Sequence, residues 1–439
     1  MKVKVCDALC GAGKTVSCIN MINSSIDKKY IFITPYLDEV ERIQTNCADK
    51  HFVTPQKKAD NGYSKLNDLP SLLRAGKNIA STHALFSCYT DEIKDLIREQ
   101  KYTLILDEVI DLFQPVNMNS GDVEFLVRNN IAKKDGENIL WDDDEYQGVA
   151  FEEIMQYAKS KNLVDYDGSF FFWSLPVDVF KCFEDAYVLT YLFEYQMMKY
   201  YFDANDVDYE LIGTKRENDV YQFCPLCEMD RKVELRDKIH IVMDEKYNNI
   251  GNENYSLSST WFERAKREPK QPKINILKNN LYNIFRHKNG GKNIKMWTTI
   301  KKYRSSLKGK GYSNDFMSFN MRAVNGYANK NCLAYCVNVY LQPWMKNYLT
   351  KIGNKNVNQD MYALSVLVQW VFRSAIRKGE EIWIYIPSKR MRTLFIKWLN
   401  NLAEGKDLKP INFSYIKEKK INEAVFKLQS QKNGGSKNV

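Results

Sequence analysis

No stretch of this 439-residue chain approaches the roughly 18 consecutive apolar residues that a membrane span needs. Its first residues, Met1-Lys2-Val3-Lys4-Val5-Cys6, also lack the apolar core of a signal peptide. Together these absences predict a cytoplasmic protein. Paired cysteine motifs are scarce. Cys224-Pro225-Leu226-Cys227 has the spacing of a zinc knuckle, but no second pair follows, and Cys332 and Cys336 lie far downstream in an apolar segment. Structural zinc needs four ligands at workable spacing, so the ten cysteines read mainly as small hydrophobes in a reducing compartment. Carboxylates thin out toward the C-terminus. Beyond Asn320 only seven occur, scattered from Asp360 to Glu423, which is too sparse for a two-metal nuclease.

What is present is ordinary globular usage, 44% hydrophobic and 27% charged, in a length that suits two or three domains. The formal net charge of +10 tilts the partner question toward polyanions. That charge is uneven. Residues 264 to 310 carry fifteen Lys/Arg against one acid, Glu268. Aromatics interleave there at Tyr282, Phe285, Trp297 and Tyr303. Backbone phosphates could pair with the cations, Lys301, Lys302 and Arg304 foremost, while the aromatics read better as core.

Short apolar runs alternate with amphipathic stretches through the first two hundred residues, the pattern of a parallel α/β sheet. Strands are predicted at Lys2 to Cys6, Tyr30 to Thr34, Asn78 to Ser81, Thr103 to Leu106 and Ala186 to Leu189, with helices such as Leu37 to Asn46 and Thr90 to Glu99. Residues 113–179 are too long for a connection and read as an insertion, with a helix near Phe151 to Lys159 and the aromatic patch Phe170-Phe171-Phe172-Trp173. The second half repeats the α/β pattern. Strands are predicted at Ile239 to Met243, Ile294 to Thr298, Cys332 to Val339 and Ile382 to Ile386, and helices at Leu277 to Phe285, Tyr362 to Lys378 and Lys389 to Leu402.

Ala8-Leu9-Cys10-Gly11-Ala12-Gly13-Lys14-Thr15 follows the first strand and opens a helix. Gly11 and Gly13 allow a tight turn whose N–H groups face an anion at a helix N-terminus. Lys14 supplies a charge to the β/γ-phosphates of ATP, and the Thr15 hydroxyl can ligate Mg²⁺. Leu104-Ile105-Leu106-Asp107-Glu108 is its complement, an apolar strand delivering two carboxylates at its C-terminal end. Asp107 would hold Mg²⁺ and Glu108 would polarise the attacking water.

With both motifs in view, the chain resembles superfamily-2 helicases, in particular the DEAD/DEAH-like helicases of bacteriophages. Ala8 through Thr15 match the A-x-x-G-x-G-K-T form of their first motif at every fixed position. Asp107-Glu108-Val109-Ile110 is similar to D-E-x-x. Ile33-Thr34-Pro35-Tyr36 and Ser81-Thr82-His83 resemble strand-contacting motifs, and Val188-Leu189-Thr190 resembles the motif that couples ATP to strand movement. In the second half, Gln369-Trp370-Val371-Phe372-Arg373-Ser374-Ala375-Ile376-Arg377 resembles the sixth motif, with the arginine finger either Arg373 or Arg377. Four-residue spacing puts Gln369 and Arg373 on one helix face. Met296-Trp297-Thr298-Thr299 resembles the end of motif IV, and Arg322-Ala323-Val324-Asn325-Gly326-Tyr327 resembles an R-A-T-N-x-Y string, with Val324 in place of threonine.

The resemblance implies an α/β fold of two RecA-like P-loop lobes with parallel sheets. Residues 1–205 would form the ATP-binding lobe, with the insertion at about 113–179, and 206–402 the second lobe with the basic segment. Residues 403–439 would be a basic tail. It implies an ATP- and Mg²⁺-dependent helicase or translocase acting on single-stranded or branched DNA, in phage replication or recombination, alongside phage or host replication proteins. Thr34, Pro35, Thr82, His83, Thr298, Thr299, Arg322 and Asn325 would touch nucleic acid, and Thr190 would couple the sites. A terminase-like packaging ATPase is disfavoured by the missing nuclease carboxylates. A nucleic-acid-binding protein with a decayed ATP site is disfavoured by the intact set of catalytic residue types.

Overall fold

The computed structural model describes residues 2–413 apart from 36, 58–64, 144, 147, 149–150, 169, 231–232, 288–293, 321–324, 354–355, 407–409 and 411–412. It divides into two compact units. The first comprises residues 1–229 and 342–357, the second 230–341 and 358–439. None of the described helices is long and apolar enough to cross a membrane.

The first unit is built on a seven-stranded sheet. Its strands are β1 (Val3–Asp7), β2 (Lys29–Thr34), β3 (Ile79–Thr82) and β4 (Tyr102–Asp107), joined after the insertion by β10 (Asp185–Thr190), β11 (Tyr209–Glu217) and β12 (Val220–Pro225). Their order is β12-β11-β1-β10-β4-β2-β3, parallel throughout except for β12 on the edge. The middle strands are buried along their length, as in Tyr30-Ile31-Phe32-Ile33 and Tyr102 to Leu106. Near-continuous apolar runs are what a parallel sheet covered on both faces demands. Helix α1 (Lys14–Ser24) and helix α2 (Leu37–Asn46) follow β1 and β2. The helix Asp91–Glu99 starts where the Thr90 side chain accepts a hydrogen bond from the Ile93 N–H, with Asp91 and Glu92 in its first turn.

Between β4 and β10 the chain makes a separate antiparallel sheet in the order β5-β9-β8-β7-β6. Its strands are β5 (Phe113–Pro115), β6 (Ala132–Asp135), β7 (Asn138–Trp141), β8 (Leu163–Tyr166) and β9 (Phe170–Ser174). The aromatic patch of the sequence is β9, and strand alternation divides its work. Phe171 joins Leu126, Ile139 and Leu163 in the insertion's own core. Phe172 meets Phe113, Trp344 and Tyr348 instead. Trp344 and Tyr348 lie on the helix Pro343–Gly353, which follows a second-unit strand in sequence but packs in the first unit.

The second unit holds a four-stranded parallel sheet, β13 (Ile239–Ile241), β14 (Lys295–Thr298), β15 (Cys332–Tyr335) and β16 (Ile382–Tyr385), in the order β13-β16-β15-β14. Helices Ser259–Arg267, Pro272–His287, Gln359–Val371 and Lys389–Ala403 accompany it. Buried Arg390 ties the unit together. It pairs with Asp360 at 2.6 Å, donates to Asn338 Oδ1 and the Val339 carbonyl, and stacks on Tyr340.

The two α/β units with parallel sheets agree with the fold class read from the sequence, and three boundaries differ. Residues 206–229, assigned above to the second lobe, form β11 and β12 and complete the first sheet. The strand starting at Cys332 ends at Tyr335: the Cys336 N–H makes the last ladder bond, to the Thr298 carbonyl, and the Asn338 N–H goes to the Leu257 carbonyl outside the sheet. The helix expected through Lys378 stops at Val371. Ser374 is extended, its Oγ caps the Val371 carbonyl, and the Ala375 N–H leaves the helical ladder for the Lys330 carbonyl. The basic tail beyond residue 413 lies outside the described residues.

Candidate active site and its P-loop

Gly11 and Gly13 have φ of 81° and 85°, the left-handed conformation that glycine adopts without penalty, and they wrap the chain from β1 into α1. Ala8 and Ala12 are buried beneath the turn. Buried Lys14 Nζ donates to the carbonyls of Ala8 (2.7 Å) and Leu9 (3.3 Å), so the ammonium is held within the loop. Thr15 occupies the first turn of α1, half-buried. The loop has a brace the sequence did not signal: Thr214 Oγ1 on β11 donates to the Ala12 carbonyl at 2.7 Å.

The sheet order sets what faces this loop. β10 alone separates β1 from β4, with Asp7 opposite Thr190 and Leu189 opposite Asp107. The carboxyl ends of β1, β10, β4, β2 and β3 therefore form one edge, which carries Asp7, Thr190, Asp107, Thr34 and Thr82. Glu108 follows Asp107 in the left-handed region, φ 66°, its N–H bonded to the Leu189 carbonyl. A non-glycine residue there stores strain that recurs at functional sites. Burial first, then the nearby Glu108 and Glu39 carboxylates, push the Asp107 carboxyl up to about 7, against the pull of Lys14 and Arg42. Glu39 is itself buried on α2 and bonded to Arg42 at 3.0 Å. Sequence reading missed this pair, although an acid beside Val40 on the apolar face of α2 was a visible signal.

Asp7 was also missed. Its carboxylate accepts the N–H groups of Leu192 (2.6 Å) and Phe193 (3.2 Å), joining the strand before the phosphate loop to the turn after Thr190. Burial raises its carboxyl to about 6 from 3.8, outweighing those two hydrogen bonds and Lys14, with Glu194 adding to the rise. Folding therefore favours the protonated acid. Its contribution is full below the unfolded value and is lost as pH rises through about 6. The whole loss is about 3 kcal/mol, roughly half of it between pH 5 and 7.5. Asp7→Asn should cancel that part of the pH dependence in urea titrations, and an unchanged difference between pH 5 and 7.5 would mean that Asp7 ionises freely in the fold.

Several expected nucleic-acid contacts stand elsewhere. Thr34, Thr298 and Thr299 are fully buried at strand ends, so their hydroxyls do not meet a strand on the surface. Pro35 and Thr82 are half-buried. His83, in its Nε2–H tautomer, donates to the Asp107 carbonyl at 3.1 Å, which ties that motif to the carboxylate strand. Thr190 is buried and bonded to Gln196 at 3.0 Å. In the basic segment Phe285, Trp297 and Tyr303 are core. Lys302 pairs with Glu263 at 2.9 Å and Arg304 lies over the Phe316 ring, whereas Lys301, Lys308 and Lys310 are exposed. Arg322 and the Asn325 side chain lie outside what is described. Gln369 is on the helix Gln359–Val371, Arg373 just beyond its end, and Arg377 exposed on the 3-10 turn Ala375–Lys378. The shared helix face expected for Gln369 and Arg373 is therefore absent.

Comparison with known proteins supplies a family. Over 413 residues, 91% of this chain and 99% of the other, the sequence is 40% identical to the SPbeta prophage-derived uncharacterized protein YonV of Bacillus subtilis (strain 168). The chain belongs to the YonV family. The YonV middle domain matches residues 113–173, the antiparallel insertion, and the YonV C-terminal Rossmann-like domain matches 233–399, the second parallel sheet. Among solved structures, an XPD helicase aligns at a TM-score of 0.49 with 10% identity, over 92% of this chain and 95% of that one. Xpd4 of S. tokodaii aligns at 0.48 with 13% identity, over 94% and 95%.

Proposed function

We propose that this YonV-family protein is an ATP-dependent nucleic-acid translocase or helicase acting on DNA in the phage life cycle. The observation that carries the reading is the shared sheet edge: a glycine-turned loop holding Lys14 on β1, and Asp107-Glu108 on β4 one strand away. Thr15 and Asp107 offer the hard oxygen donors that suit Mg²⁺, and a bound Mg²⁺ would neutralise charge on the β/γ-phosphates. Lys14 would leave its loop carbonyls for the phosphates, and Glu108 would orient and deprotonate the attacking water. Arg373 or Arg377 would supply the guanidinium that neutralises transition-state charge. The prophage origin of the relative supports a phage setting.

ATP hydrolysis measured with and without single-stranded DNA tests the reading, and turnover indifferent to DNA would refute it. The exposed lysines of the basic segment provide a second measurement. Changing Lys301, Lys308 and Lys310 together to glutamine should lower DNA affinity by a similar factor for unrelated sequences. It should also flatten the dependence of log affinity on log salt by about two to three units. An unchanged slope would show that these charges face only solvent.

A further inference from the structure

The carboxylates Asp107 and Glu108 lie to one side of β1, beyond β10, and this fixes which way a nucleotide must run. Its terminal phosphate has to point toward β4, so its nucleoside half leaves the phosphate loop on the opposite flank, where β11 and β12 lie. A cavity occupies that flank. It measures about 850 Å³, within the range of small-molecule sites, and lies between α1 and the sheet. Ser17, Asn20, Tyr187, Tyr221 and Phe223 form its walls, with Lys4 at one end.

This cavity and the loop Ala8–Thr15 border the same side chain, Tyr221. The Tyr221 ring sits so close to Gly13 that a Cβ there would overlap it. Asn20 Nδ2 on α1 donates to the Tyr221 carbonyl at 2.9 Å, which holds the β11–β12 hairpin against the helix. Inside, the rings of Tyr187 and Phe223 stack with centroids 5.6 Å apart and planes 21° apart, and Lys4 Nζ lies over the Tyr187 ring at 4.9 Å, so Phe223 is the aromatic face left to the cavity. The Ser17 hydroxyl, 1% exposed, has no hydrogen-bond partner among the described residues. An orphaned buried hydroxyl is costly unless something bonds to it. A second anion does not suit the place, because the one cation there, Lys4, is already bonded to Asp185 (3.4 Å) and the Tyr187 hydroxyl (3.2 Å). A flat heteroaromatic base carrying ring nitrogens fits both the aromatic wall and the free hydroxyl.

We infer that the cavity between α1 and the β11–β12 hairpin holds the nucleoside of the nucleotide whose phosphates lie on the Ala8–Thr15 loop. The inference rests on the ATP-site reading above, and two measurements on the full chain separate them. Photolabelling with 8-azido-ATP followed by peptide mapping should place the label within residues 209–225 or α1. Binding of ATP and of inorganic tripolyphosphate should then diverge in Phe223→Ala and Ser17→Val. ATP affinity should fall about tenfold or more, while tripolyphosphate affinity stays at the wild-type level. Label confined to other peptides, with wild-type ATP binding intact, would overturn the base site and leave the phosphate loop standing. Equal losses for both ligands would also overturn it, since the two side chains would then act only by shaping the loop. If the wild type bound neither ligand, the phosphate-loop reading would fall and this assignment with it.

Discussion

Lys14→Ala should abolish ATP hydrolysis, and Glu108→Gln should slow it by about two to four orders of magnitude while leaving ATP binding nearly intact. The two substitutions fail for different reasons. Lys14 is buried in the loop and bonded to the Ala8 and Leu9 carbonyls, so on the proposed reading its ammonium is the charge that meets the phosphates. Alanine there removes the counter-charge in both the ground and the transition state, and affinity should fall together with rate. Glu108 sits one residue beyond Asp107 in a strained left-handed turn, fixed by its N–H to Leu189. Glutamine keeps the shape and loses only the base, so the chemical step alone should suffer. Single-turnover hydrolysis beside equilibrium ATP binding would check both. Normal turnover by Glu108→Gln would remove Asp107-Glu108 from the mechanism.

The arginines of the second unit should show the next largest effect. Losing the guanidinium that neutralises transition-state charge should cost on the order of a thousandfold in DNA-stimulated turnover, about 4 kcal/mol, with ATP affinity changed much less. Arg373 and Arg377 occupy different local elements, one just past the helix Gln359–Val371 and the other on the 3-10 turn after extended Ser374. A single helical face does not present both, so Arg373→Ala and Arg377→Ala should differ sharply, the severe one marking the finger. If both variants kept DNA-stimulated turnover, the helicase reading of the second half would collapse. A P-loop ATPase joined to an unrelated basic domain would remain.

Much of this was legible locally. The helix Leu37–Asn46 was read residue for residue, and most of the strands named from the sequence within a position or two, because amphipathic and buried runs report their own environment. The errors have a common cause. Residues 362–378 keep a helical apolar pattern, but the helix ends at Val371 and the Ala375 N–H goes to the carbonyl of Lys330, forty-five positions away. Thr298 and Thr299 looked like surface donors in a motif string, yet the close of β14 buries them. Residues 206–229 carry no sign that they join the first sheet, since β11 pairs with β1 two hundred positions earlier.

By itself the sequence determined the glycine-turned loop between β1 and α1. Strand, turn and helix are contiguous from Val3 to Ser24, and glycine at 11 and 13 with Lys14-Thr15 suffices for the local geometry. It likewise determined that an apolar strand would end in Asp107-Glu108. Only the tertiary structure decided that β10 would lie between those strands, so that loop and carboxylates share one edge. The same holds for Asp7 reaching Leu192 and Phe193, and for Tyr221 closing over Gly13. Hydrophobic periodicity specifies which face of an element is buried. Which elements meet is settled by packing across the whole core against the entropy of closing long loops, and a local pattern carries no record of that.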